Sequence, residues 1–124
     1  MLLKDAAEVI NHNYMCHENS LVYDLHETGI FSGCHFWEFY DSVIVLTKEA
    51  GTHGQRMETA MKITFVYQYI LKTMIYHFDN GDLFHIKDFP ADYTEYLERL
   101  DDAMDAYFRG IFIDETVYPS SRKS

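Results

Sequence analysis

Apolar residues recur at helical spacing in four stretches of the chain, and Gly, Pro, Asn and Asp mark the breaks between them. Residues 3–13 place Leu3, Ala6, Ala7 and Ile10 on one side of a short helix. Residues 34–51, "CHFWEFYDSVIVLTKEAG", have helical length and close on Gly51, although the Val43–Leu46 run would also suit a buried strand. The longest helix is expected over 55–78. There Ile63, Phe65, Val66, Tyr69, Ile70, Met74, Ile75 and their neighbours leave only a narrow polar strip, the mark of a helix covered by its neighbours. Residues 20–33, bounded by Ser and Gly, read as a loop or short extended piece, and "DNGD" (79–82) as a turn. Pro90 suits the first turn of a last helix that runs to about Arg109 and stops at Gly110.

These elements predict a mainly α, single-domain helical bundle around one long central helix. Residues 1–118 form the domain and 119–124 a frayed tail. "IFIDETVY" (111–118) alternates poorly and is expected to be a short C-terminal strand or an ordered tail.

The last helix has two unlike faces. At about 100° per residue, Tyr93, Tyr96, Leu97, Leu100, Met104, Tyr107 and Phe108 share one arc, while Glu95, Glu98, Asp101, Asp102 and Asp105 share the other. The apolar arc docks the helix on the bundle. The acidic arc requires a separate account, because like charges on one helix face repel by a few tenths of a kcal/mol per close pair, roughly.

Charge adds to that picture. The 124 residues carry a formal −10, and residues 79–115, with eleven acidic and three basic side chains, hold −8 of it. A solvated acidic face is one reading of this segregation and a surface for a basic protein is the other, with Tyr93, Tyr96 and Tyr107 as anchors beside the steering charges. The acidic balance argues against direct contact with nucleic acid or an anionic membrane, which calls for clustered Lys and Arg. The N-terminus has acidic residues within its first ten positions and no secretory pattern, and the most apolar run (63–78) is too short and too polar to span a bilayer. A soluble cytoplasmic protein is expected.

Motifs for catalysis or cofactors are missing. "DNGDLFHIKDF" lacks the ligand spacing of a calcium loop, no Glu has a His three residues later, and no phosphate loop, nucleophile elbow or dinucleotide fingerprint occurs. Cys16, His17, Cys34 and His35 could in principle hold zinc, or pair as nucleophile and base. Adjacent residues point apart, however, and no Cys-x-x-Cys supports them. No metal, no cofactor and no enzymatic activity are therefore expected. Trp37 is expected in the core, and a homodimer through the long apolar helix is the alternative organisation.

"GIFSGCHFWEFYDSVIVLTKE" together with "YHFDNGDLFHIKDFPADYTEYLERLDDAMDAYFRGIFIDET" resembles immunity proteins of bacterial polymorphic toxin systems, including contact-dependent growth inhibition systems. The resemblance covers about residues 29–115. It implies a small cytoplasmic inhibitor that binds the toxic C-terminal domain of a larger secreted protein. Such a domain is often a nuclease whose cleft is basic because it binds phosphate, and an acidic stripe would complement it.

Overall fold

The computed structural model describes residues 1–79, 81 and 83–118, so the tail expected at 119–124 and part of the turn at 79–82 lie outside the described residues. Helices are α1 (Leu3–Tyr14), α2 (Leu21–Tyr23), α3 (Gly33–His53), α4 (Met57–Phe78) and α5 (Tyr93–Arg109). α2 runs straight into a π-helical turn, Asp24–Thr28. The bundle is all-helical among the described residues, and its one sheet-like contact there is a parallel bridge between Ile30 and Lys87. That bridge ties the α2–α3 connection to the α4–α5 connection, with Phe31 donating to the Lys87 carbonyl at 2.9 Å and Lys87 to the Gly29 carbonyl at 2.7 Å.

The segment expected as a loop at 20–33 is helical over most of its length. Ser20 starts it by accepting the Tyr23 N–H at 3.2 Å, Leu21, Val22 and Leu25 turn into the core, and Gly29, at φ 68°, ends it. Asn13 joins this piece to α1: its side chain donates to the Val9 carbonyl at 3.0 Å and accepts the Val22 N–H at 3.1 Å. Asn13 is buried at the end of α1, and these bonds offset the cost of hiding its amide.

α3 begins at Ser32, which caps the His35 N–H, and buries Phe36, Trp37, Phe39, Tyr40, Ser42, Val43, Leu46 and Thr47. It packs against α1 and α5, while α4 closes the bundle against α1, α2 and α5. α3 passes through Gly51 and stops at Gly54, whose φ of 83° suits only glycine without strain. α4 is the longest helix, as expected, but its neighbours cover one side alone. Ile63, Val66, Ile70, Thr73 and Met74 are buried, whereas Met57, Met61, Phe65, Ile75 and Tyr76 face outward.

α5 starts at Tyr93, so Pro90 lies before the helix rather than in its first turn, and Gly110 ends it at φ 68°. After it, 111–118 is an ordered segment without strand pairing, closing in a 3-10 turn over Glu115–Val117.

Candidate protein-binding surface

The outer face of α5 carries the acidic stripe. Glu98, Asp101, Asp102 and Asp105 are exposed and Glu95 is half-buried, while Tyr96, Arg99, Leu100, Ala103, Met104, Ala106 and Tyr107 fill the inner face. The alternation follows from helical spacing, and the burial of the apolar arc fixes which way the carboxylates point.

Three of these carboxylates have defined partners from other parts of the chain or the next turn. Asp101 accepts the Tyr67 hydroxyl at 2.9 Å, Asp102 accepts the Tyr118 hydroxyl at 3.0 Å, and Asp105 pairs with Arg109 at 3.3 Å. Burial first, and then the bond to Asp101, pushes the Tyr67 hydroxyl up to about 12; the same two causes, with Asp102 as acceptor, raise Tyr118. Both phenols therefore stay protonated donors across the physiological range. They hold their carboxylates in one orientation while leaving the negative charge in place.

Below the stripe lies a second layer that sequence reading missed. Arg99 is 5% exposed and pairs with Glu115 at 2.7 Å. Its guanidinium stands 3.8 Å from the centre of the Tyr118 ring and 5.1 Å from that of Trp37. Tyr40 donates to the other oxygen of Glu115 at 2.7 Å. The segment after α5 is thus folded back over α5, clasped by one buried cation and its aromatic cage.

Between α4 and α5 runs an open groove of about 460 Å³, floored by Met104 and Phe108 and edged by Thr64, Tyr67, Gln68, Asp101 and Asp105 among others. Phe108, expected in the core, is instead 49% exposed and lines this groove.

The tyrosines proposed as anchors are placed differently from one another. Tyr96 lies in an aromatic core cluster, 4.9 Å from Phe36 and 5.2 Å from Phe31 between ring centres. Tyr107 is 1% exposed, and its carbonyl accepts Gln55 at 2.6 Å. Neither ring is open to a partner. Tyr93 is half-buried, stacked on Phe89 at 5.3 Å. Phe108 is instead an apolar group exposed beside the stripe.

The Cys/His positions do not converge. His17 stacks on His12 at 4.7 Å, His35 pairs with Asp24 at 2.5 Å, and Cys34 points to solvent. Among the described residues no group of three or more His, Cys, Asp or Glu side chains is placed to hold a metal ion. No described helix is long and apolar enough to cross a membrane.

No known family model matches the chain, and no curated protein and no solved structure is similar to it at a significant level.

Proposed function

We propose that the chain is a cytoplasmic immunity protein that binds a cognate toxin domain through the outer face of α5 and neutralises it without catalysis. The observation that carries this reading is the stripe itself: Glu98, Asp101, Asp102 and Asp105 lie side by side on an exposed face whose other side is locked into the core. The resemblance over residues 29–115 adds a partner class, a small toxic domain with a basic cleft. Carboxylates held by Tyr67 and Tyr118 present charge already oriented, which reduces the ordering cost of association. Phe108 beside them supplies apolar area at the edge of the groove.

The decisive experiment is growth rescue. The C-terminal domain encoded immediately upstream is expressed in bacteria with and without this protein, and relief of toxicity is the expected result. Combining Glu98→Lys, Asp102→Lys and Asp105→Lys in one chain should then lower the association rate at least tenfold and flatten its salt dependence. A harmless upstream product, or an affinity unchanged by the triple reversal at every salt concentration, sinks this reading.

A further inference from the structure

The groove between α4 and α5 joins an apolar floor to an edge of a single charge. Met104 and the half-exposed Phe108 form the floor, and Asp101, Asp102 and Asp105 stand along the α5 side. The α4 side, with Thr64, Tyr67 and Gln68, is polar and uncharged. We propose that this groove is a socket for one arginine side chain of a protein partner, its methylenes on Phe108 and Met104 and its guanidinium between Asp101 and Asp105. That the arginine belongs to a toxin rests on the function proposed above. The socket is a property of this chain and is tested without a toxin.

Charge narrows the occupant first. Three carboxylates line the groove and none of the described lining residues is a cation, so an anionic group is repelled. A purely apolar segment would bury those carboxylates without partners, which is costly. A bare metal ion lacks a cage, since among the described residues no group of three or more ligating side chains is placed to hold one.

Geometry then favours a guanidinium over an ammonium. Asp101 and Asp105 are one turn apart on α5, a spacing that sets their Cβ atoms about 5–6 Å from each other. A guanidinium presents five N–H donors in a flat fork and can reach both carboxylates, whereas an ammonium is a point charge that favours one. The Tyr67 hydroxyl already holds Asp101 at 2.9 Å, and a carboxylate has room for further donors. Phe108 adds an aromatic surface, which suits the flat cation.

The chain itself supplies a precedent. Arg109 reaches Asp105 at 3.3 Å from the next turn, with 67% of its side chain exposed. The edge therefore already draws a guanidinium, in a solvated contact weak enough for an incoming arginine to displace.

Magnetic resonance titration of the isotope-labelled full chain with Nα-acetyl-arginine methylamide tests the socket. The lysine and citrulline analogues are the comparisons, citrulline matching arginine in length without its charge. A single residue binds weakly, with a dissociation constant on the order of 1–10 mM. The expected result is saturable shifts centred on Thr64, Gln68, Asp101, Asp105 and Phe108, about threefold weaker binding of lysine and none of citrulline. Asp101→Asn and Asp105→Asn should each weaken arginine binding about fivefold, and Phe108→Ala about threefold. Asparagine at 101 keeps an acceptor for Tyr67, so the remaining spectrum should match the parent's. Arg109→Gln removes the internal competitor and should tighten binding about twofold. Glu18→Gln, an equal loss of charge at an exposed site between α1 and α2, should change it by less than about twofold. No saturable shift by about 100 mM overturns the proposal. So do equal binding of the three analogues, shifts spread over the other acidic surfaces, or a loss with Glu18→Gln equal to that with Asp105→Asn. The two readings fail separately. Growth rescue without arginine binding removes the socket and leaves inhibition standing, whereas arginine binding beside a harmless upstream product removes inhibition and leaves the socket.

Discussion

Arg99 is the residue on which most of the far end of the molecule depends. A guanidinium that is nearly buried needs a carboxylate and flat partners, and here Glu115, Trp37, Tyr40 and Tyr118 provide them. Arg99→Ala leaves Glu115 and the Tyr40 hydroxyl without their cation and is expected to destabilise the fold by about 3 kcal/mol. Arg99→Lys should recover less than half of that, because an ammonium cannot lie flat between rings. Urea titration of the three proteins measures both effects. His77 gives a second prediction at this scale. Its Nδ1 accepts the Ile86 N–H at 2.8 Å, which requires the unprotonated ring; burial, and then the nearby charge of His85, lowers its pKa. A lowered folded-state pKa means that the unfolded chain binds the proton more readily. This contribution is therefore intact above the unfolded value of about 6.5 and is lost as pH falls below it. The urea midpoint of the wild type should drop relative to that of His77→Gln between pH 7.5 and pH 5, since glutamine offers an acceptor that does not titrate. A constant difference across that range would show that the bond carries no pH dependence. Sequence reading counted Arg99 among the few bases of an acidic region. Its burial was illegible because two of the three rings that cage it come from α3 and one from beyond α5.

At the scale of the element, periodicity predicted well and punctuation less so. α1, α3, α4 and α5 lie where apolar spacing put them, and the two faces of α5 separate as expected except at Phe108. Gly51 has the sequence context of a helix stop, yet α3 continues to His53 and the positive φ falls on Gly54. Local composition could not distinguish two glycines three residues apart; only the backbone angle does. The distinction is testable. An added Cβ at Gly51 meets nothing within 4 Å and the residue is helical, so Gly51→Ala should stabilise by about 0.5–1 kcal/mol. Gly54→Ala, forced to φ 83°, should cost about 1 kcal/mol. Thermal unfolding of the two variants should move the midpoint in opposite directions. The short helix at 21–28 was hidden for another reason: it begins between two polar runs, and its apolar positions are too few to show a period.

Across the whole molecule, two helices face outward with opposite character. α5 shows carboxylates and α4 shows methionines, an isoleucine and a phenylalanine, with the groove between them sharing both. The segregation of charge was legible from residue counts alone. The position of the groove was not, because it depends on how α4 and α5 are set against each other across a connection whose length says nothing about their angle. The buried state of Tyr96 and Tyr107 belongs to the same level of organisation: a tyrosine at the border of two faces goes inward when rings such as Phe31 and Phe36 are waiting there.

The clasp over α5 also bears on how the protein can be handled. Tyr118 sits on Asp102, so a label placed on the segment 114–118 lies beside the acidic stripe. Met1 lies elsewhere, its sulfur accepting the Ser42 hydroxyl of α3 at 3.3 Å. A fluorophore or surface tether joined within that segment would crowd the face proposed for a partner and depress measured affinities. The same attachment at the amino end leaves that face clear.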